Sequence, residues 1–145
     1  QLPISVYHEV FDENQTTTRQ SYRALMEILA DENNYPVYIH CQQGDDRTGT
    51  FAFFLNALLG VEYNDLCIDY EMSSFSPSGL RGARNGQNYS NHFIDIYSGL
   101  MNYGENAESS GNTPLSLCAE NFFKSLGVSE DTIEAIRRIN IEGYN

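Results

Sequence analysis

Residues 40–50 read His-Cys-Gln-Gln-Gly-Asp-Asp-Arg-Thr-Gly-Thr and lie between two apolar runs. The run before them, residues 37–39, is Val-Tyr-Ile, and its β-branched and aromatic composition predicts a strand. The run after them carries Phe and Leu at helical spacing, which predicts a helix that begins at Thr48 and ends at Gly60. The sequence therefore predicts a loop between a strand and a helix N-terminus, with one cysteine and one arginine in it.

The predicted position of this loop favours anion binding. Unpaired backbone N–H groups and the positive end of the helix dipole attract anions at a helix N-terminus. The same field favours the thiolate form of Cys41, which makes this residue a candidate nucleophile. The planar guanidinium of Arg47 can bind two phosphate oxygens at once. The other candidate substrate-binding residues of the loop are Gln42, Gln43, Gly44 and Asp45.

The arrangement His40-Cys41, five residues, then Arg47-Thr48-Gly49 resembles the signature loop of the cysteine-based protein tyrosine phosphatase superfamily. A bacterial branch of that superfamily, with a Gly-x-Asp-Arg-Thr-Gly loop, is also similar at residues 69–76. The resemblance implies an α/β fold, in which a parallel central sheet flanked by helices delivers Cys41 to a cleft and a helical C-terminal half follows. It also implies hydrolysis of phosphomonoesters through a cysteinyl-phosphate, without a metal or other cofactor.

The resemblance further implies roles for two neighbours of these residues. His40 is expected to be structural and to hold the loop around the thiolate by hydrogen bonding. The Thr48 hydroxyl is expected to donate to Cys41 and later to help the thiolate leave, with simple helix capping as the alternative.

Two aspartates are candidates for the general acid. Asp12 lies 29 residues before Cys41, and the resembled superfamily carries its acid roughly that far upstream, after a strand. Residues 4–11 alternate partly between apolar and polar side chains and predict such a strand. The tryptophan and proline that often precede the acid are absent, so a turn-forming role for Asp12 stays open. Some relatives use an aspartate directly before the arginine, which here is Asp46.

The substrate class depends on the charges near the loop. Asp45 and Asp46 stand where relatives that act on inositol phosphates or phosphoinositides often have lysine, and their repulsion of a polyanion favours phosphotyrosine or another monophosphate. Arg81 and Arg84, in a segment rich in Gly, Ser and Asn, are candidate ligands for a further phosphate and keep inositol phosphates as an alternative. A phosphate-binding module without turnover is the second alternative.

Composition limits the class of protein. The chain has 145 residues, the size of one domain, and its formal net charge of −12 argues against nucleic acid and anionic membranes as partners. No apolar run approaches the ~20 residues that cross a bilayer, so we expect a soluble protein, and the bacterial branch implies a secreted one. The three cysteines show no metal-binding spacing, and Cys67 and Cys118 are expected in the core.

The chain has few residues before the loop. Phosphatases of this type place several strands there, whereas forty residues precede Cys41. We therefore expect a single catalytic domain that is the C-terminal part of a longer domain, or one chain of a two-chain protein. The expected partners are a phosphorylated protein or a small phosphomonoester and, in the second case, the chain that completes the fold.

Periodicity predicts further helices around the loop. One follows Thr16 to Thr18 and ends near Asp31, and others begin near Asn64, Ser90, Leu115 and Ser129.

Overall fold

The computed structural model describes residues 7–75, 92–104 and 114–144, and these residues form helices joined by turns and extended segments. The α-helices of the described ranges are α1 (Thr16–Leu29), α2 (Arg47–Leu58), α3 (Tyr63–Met72), α4 (His92–Met101), α5 (Leu115–Ser125) and α6 (Glu130–Asn140). Short 3-10 helices form at Tyr7–Phe11, Glu32–Asn34 and Ser73–Phe75. Among these helices none has the length and apolar character needed to cross a bilayer.

The predicted parallel sheet is wrong, because the described ranges contain no β-strand. Tyr7–Phe11 forms a 3-10 helix where the end of a strand was expected, and residues 4–6 lie outside the described residues. Val10 is 1% exposed and Phe11 also packs against the core. In a strand these adjacent side chains would point to opposite faces, whereas a helical turn can direct both inwards.

The second predicted strand, residues 37–39, has no regular secondary structure and no strand beside it in the described ranges. It keeps the alternation of a strand, since Val37 and Ile39 pack against the core while Tyr38 is 86% exposed. A strand exists only when its backbone pairs with another, and that pairing depends on distant residues. The α/β class is therefore replaced by a helical architecture in the described part of the chain.

Helix α2 lies at the centre of the core. Its Phe54 is 0% exposed and packs against Phe122 of α5, with ring centroids 4.8 Å apart. Tyr22 of α1 and Phe11 complete this group, at 5.3 Å from Phe51 and 5.5 Å from Phe54 respectively. Each such ring pair adds about 0.5–1.5 kcal/mol beyond the burial of its area. We call these five residues the aromatic cluster.

Complete burial raises the pKa of the Tyr22 phenol far above its ordinary value, because the ionised form would lose its hydration. Tyr22 therefore stays protonated for as long as the aromatic cluster excludes water.

Gly99 fixes the position of the first 3-10 helix on α4. A Cβ atom at this position would overlap the ring of Phe11. Glycine therefore lets Phe11 lie directly on the α4 backbone and reach the aromatic cluster.

The predicted helix boundaries are confirmed to within a few residues. The Ser129 hydroxyl accepts a hydrogen bond from the Thr132 N–H at 3.1 Å and caps α6, as its sequence indicates. Gly60 follows α2 with φ of +85°, the left-handed conformation expected at a helix C-terminus. Cys67 and Cys118 are both 0% exposed, as predicted.

Candidate active site

The loop at residues 41–46 leads directly into α2. The helix begins at Arg47, one residue before the predicted start. Both the N–H and the hydroxyl of Thr50 donate to the carbonyl oxygen of Asp46, at 2.9 and 2.7 Å, and close the first turn. Because Phe51 and Phe54 anchor the same helix in the core, the N-terminus of α2 is held firmly below the loop.

Cys41 is half-buried at the start of this loop, and the chain curls back towards its sulfur. The N–H of Gly44 donates to Sγ of Cys41 at 3.2 Å. Gly44 has φ of +86°, a conformation that residues with a side chain rarely adopt. The glycine therefore supplies the turn that directs a backbone donor at the thiol.

Hydrogen bonding shifts the ionisation of this thiol. Burial raises the pKa of Cys41, but hydrogen bonds from the Thr48 side chain and from the backbone N–H groups of Thr48, Gly44 and Gln43 outweigh it. Together they lower the pKa from 9.0 to about 7. The shift brings the pKa of Cys41 close to neutral pH and so favours the thiolate, the form of cysteine that acts as a nucleophile.

One cavity of about 660 Å³ brings the predicted anion-binding groups together. Its polar wall is formed by His40, Cys41, Gln42, Arg47 and Thr48. The guanidinium of Arg47 makes no ion pair within the described residues. A cationic fork and a thiolate thus face the same space.

His40 contacts the backbone at the start of the loop. Its Nδ1 lies 3.3 Å from the carbonyl oxygen of Cys41, and its ring stacks on Tyr38 with centroids 5.6 Å apart. The imidazole therefore contacts the backbone beside Cys41, and its structural role stays a prediction.

Four loop residues lie outside the cavity wall. Gln43 and Gly44 are exposed and reach Cys41 through their backbone N–H groups. Asp45 is only 6% exposed, a burial that the sequence did not indicate. Asp46 is half-buried at the start of α2 and does not line the cavity either.

Asp12 is an exposed turn residue. Its Oδ1 accepts hydrogen bonds from the backbone N–H and the side-chain amide of Asn14, both at 2.9 Å. This Asx turn uses the side chain to close the chain before α1. Asp12 does not line the cavity that holds Cys41. The remaining candidates, Arg81 and Arg84, lie outside the described residues.

The structure also adds residues that sequence reasoning did not connect with the site. Leu25 and Ile28 of α1, together with Phe51, form an apolar wall of the same cavity. The helical spacing of Leu25 indicates the apolar face of α1, whereas the 43% exposure of Ile28 is visible only in the structure. Groups of three or more His, Cys, Asp or Glu side chains suited to a metal do not occur in the described ranges.

Comparisons with known proteins place the chain in a family. Neither the curated proteins nor the solved structures gave a significant match. The model of the tyrosine phosphatase family, however, matches residues 3–142. That match covers nearly the whole chain and includes the loop, the cavity and all six described α-helices, and the chain therefore belongs to the tyrosine phosphatase family.

Proposed function

We propose that this protein hydrolyses phosphomonoesters through a cysteinyl-phosphate intermediate, with phosphotyrosine as the preferred substrate. The observation that carries the proposal is the juxtaposition of Cys41 and Arg47 in one cavity at the N-terminus of α2. The lowered pKa of Cys41, at about 7, supports nucleophilic attack at neutral pH.

In the first step the Cys41 thiolate attacks phosphorus in line with the ester oxygen. An S–P bond forms and the P–O bond to the leaving group breaks. Arg47 and the N–H groups of the loop stabilise the charge on the equatorial oxygens. A carboxylic acid donates its proton to the departing oxygen.

In the second step water attacks the cysteinyl-phosphate. The carboxylate left from the first step accepts a proton from the water, the S–P bond breaks and inorganic phosphate leaves. The Thr48 side chain, which lines the same cavity and helps to lower the pKa of Cys41, donates its hydroxyl proton to the returning thiolate and stabilises it.

Asp12 and Asp46 are the two candidates for the proton donor. Asp46 directly precedes Arg47 at the start of α2, whereas Asp12 closes the turn before α1. To distinguish them, Asp12→Asn and Asp46→Asn should each be assayed on an aryl phosphate with a good leaving group and on an alkyl phosphate with a poor one. The variant that lacks the acid should lose far more activity on the poor leaving group. Equal losses in the two variants would refute both assignments.

The charges of the loop support a monophosphate over inositol polyphosphates. Asp45 is buried in the loop, and Asp46 adds a second carboxylate beside it. A like charge at ~4 Å opposes an anion by about 1 kcal/mol in water and by more where water is excluded. Parallel assays on a phosphotyrosine peptide and on inositol hexakisphosphate test this order, and a strong preference for the latter would reverse it.

The activity itself is tested with para-nitrophenyl phosphate. Cys41→Ser should lower the rate by about 10³-fold or more, because serine is a far weaker nucleophile at neutral pH. Cys67→Ala, which removes a thiol outside the cavity, is the matched control and should retain activity. Binding of phosphotyrosine without any hydrolysis by the wild-type protein would instead support a phosphate-binding module.

A further inference from the structure

Helix α3 has one apolar face in the core and a second one in solvent. Three of its side chains are buried in the core: Leu66, Cys67 and Tyr70. Ile68 and Met72 lie on the opposite side of the helix, where they are 47% and 55% exposed. Phe75, in the 3-10 helix that follows α3 directly, is 85% exposed. A helix at the surface normally turns only polar side chains to water, so this second face is unusual.

The spacing of these three exposed side chains places them in one row. Residues four apart in an α-helix lie on the same face, which aligns Ile68 with Met72. The helical conformation continues beyond Met72, since Ser73 has φ of −60° and ψ of −16° and Ser73–Phe75 is a 3-10 helix. Residues three apart in such a turn eclipse each other, so Phe75 extends the row. We call Ile68, Met72 and Phe75 the α3 stripe.

The α3 stripe is separate from the candidate active site, because none of its three residues lines the cavity that holds Cys41. Single exposed apolar side chains are ordinary on a protein surface, whereas a contiguous row of them marks a place where another molecule binds. The flexible side chain of Met72 can adapt to the shape of a partner, and aromatic rings such as that of Phe75 are enriched in protein interfaces. The stripe therefore has the composition of an interaction surface.

Carboxylates border the α3 stripe along one edge. Asp65 and Asp69 are exposed and four residues apart on α3, so their side chains lie on one face, beside those of Ile68 and Met72. Like charges at this spacing repel each other and destabilise a helix. The sequence has no lysine or arginine between Arg47 and Arg81, so α3 itself contains no cation. A cation from a partner would therefore relieve the repulsion along this edge.

We propose that the α3 stripe and its acidic edge bind an amphipathic helix of a partner polypeptide, one that carries lysine or arginine beside its apolar face. The apolar side chains of the partner cover Ile68, Met72 and Phe75 and release the water in contact with them. Its cations lie opposite Asp65 and Asp69. The interaction does not depend on the proposed phosphatase activity, since it uses no residue of the Cys41 cavity.

Charge favours such a partner over a second copy of this chain and over an anionic membrane. The formal net charge of −12 makes two copies repel each other, and self-association through the stripe would bring two acidic helices together. Anionic lipid headgroups are repelled by the same carboxylates. A basic polypeptide, in contrast, is attracted by the whole chain and by the acidic edge.

The first test uses three synthetic helical peptides. One has leucine along one face and lysine beside the leucines, the second has glutamate in place of the lysines, and the third has the residues of the first in scrambled order. Fluorescence anisotropy of the labelled peptides should show binding of the lysine peptide and much weaker binding of the other two. Absence of binding by the lysine peptide, or equal binding of the scrambled one, would overturn the proposal.

The second test removes the apolar contacts. Met72→Ser and Phe75→Ala should each weaken binding of the lysine peptide about tenfold or more, because a large apolar contact is lost. Ile94→Ser is the matched control, since Ile94 is 44% exposed but lies on α4, and it should bind as the wild type does. Equal losses in all three variants would contradict the stripe. A marked fall in the urea midpoint of Phe75→Ala would show that the chain itself covers the stripe, and would also overturn the proposal.

The third test reverses the charge of the acidic edge. The double variant Asp65→Lys, Asp69→Lys should bind the glutamate peptide more tightly than the lysine peptide. The control, Glu32→Lys with Glu142→Lys, changes the net charge equally at two exposed positions outside α3 and should keep the preference for lysine. The same change of preference in both double variants would mean that net charge alone acts, and would refute the acidic edge.

Sedimentation and vesicle binding test the other occupants of the stripe. The wild-type protein should sediment as a monomer. A dimer that Phe75→Ala dissociates would replace the proposal by self-association. Binding to vesicles of neutral phospholipid that Phe75→Ala abolishes would replace it by a membrane contact.

Discussion

The aromatic cluster and the loop at residues 41–46 both adjoin α2 but differ in their exposure to solvent. Phe54 and Phe122 are 0% exposed in the middle of the molecule, whereas Gln42, Gln43 and Gly44 at the N-terminal end of α2 are exposed. Tight packing around the middle of α2 supplies stability, whereas the proposed function assigns the chemistry to the residues before its start. We therefore expect substitutions in the middle of α2 to change stability, and substitutions at or just before its start to change activity.

The largest expected effect on stability tests the aromatic cluster. Phe122→Ala removes the ring that contacts Phe11, Tyr22 and Phe54, and it should lower the free energy of unfolding by about 3–5 kcal/mol. Urea denaturation measures the change. Phe75→Ala, at an 85% exposed position, is the control and should change it by less than about 0.5 kcal/mol. A loss below about 1 kcal/mol for Phe122→Ala would mean that the cluster is not the main source of stability.

A charge-conserving substitution at the start of α2 tests the exposed end of this helix. Arg47→Lys keeps the positive charge but loses the planar fork, and it should lower kcat/KM on para-nitrophenyl phosphate by about 100-fold. The urea midpoint should stay close to that of the wild type. Arg23→Lys is the matched control, because Arg23 forms an exposed ion pair with Glu27 at 3.0 Å. Similar losses of activity in both variants would contradict a specific role for the guanidinium.

A single methyl group added at Gly99 should lower stability through packing alone. Gly99→Ala places a Cβ atom against the ring of Phe11 and should destabilise the fold by about 1–3 kcal/mol. Ser98→Ala, at an exposed position of the same helix, is the control. In a Phe11→Ala background the cost of Gly99→Ala should fall, since the clash is then removed. An unchanged cost in that background would place its origin elsewhere.

The smallest expected effect concerns the ionisation of Cys41. Thr48→Ala removes a hydroxyl that helps to lower the pKa of Cys41 and should raise that pKa from about 7 towards its ordinary value. The pH dependence of alkylation by iodoacetamide measures this pKa, and Thr48→Ser should preserve it. A midpoint that does not move in Thr48→Ala would assign the shift to the backbone donors alone.

The same ionisation links pH to stability. Because the folded protein lowers the pKa of Cys41, the thiolate stabilises the folded state fully above the ordinary pKa of a cysteine. This contribution is lost as the pH falls through about 7, and Thr48→Ala should make it smaller.

Helices were predictable because their signals are local. α6 carries its capping Ser129, its acidic first turn and the basic residues Arg137 and Arg138 within one short segment. Strands were not predictable in the same way. Residues 37–39 have the composition and alternation of a strand, but pairing requires a second segment that no local pattern supplies. The sheet expected from the family resemblance was therefore wrong for the described residues.

In the candidate site, too, local features were predictable from the sequence and contacts between distant residues were not. The spacing of Cys41, Arg47 and Thr48 indicated one anion site, and the structure places these residues in one cavity. The burial of Asp45 and the exposure of Ile28 depend on how distant parts of the chain pack together. Such tertiary relations leave no trace in residue spacing, so the apolar wall became visible only in three dimensions.

The buried position of Tyr22 gives the aromatic cluster an optical readout. The chain contains ten tyrosines and no tryptophan, so tyrosine dominates its near-ultraviolet absorbance. Since burial raises the pKa of Tyr22, this phenol stabilises the folded state below the ordinary pKa of tyrosine and opposes folding at higher pH, once the unfolded chain can ionise. During an alkaline titration, Tyr22 should ionise in one late step, when the core opens to water. That step in tyrosinate absorbance would report the opening of the core without any added dye or label.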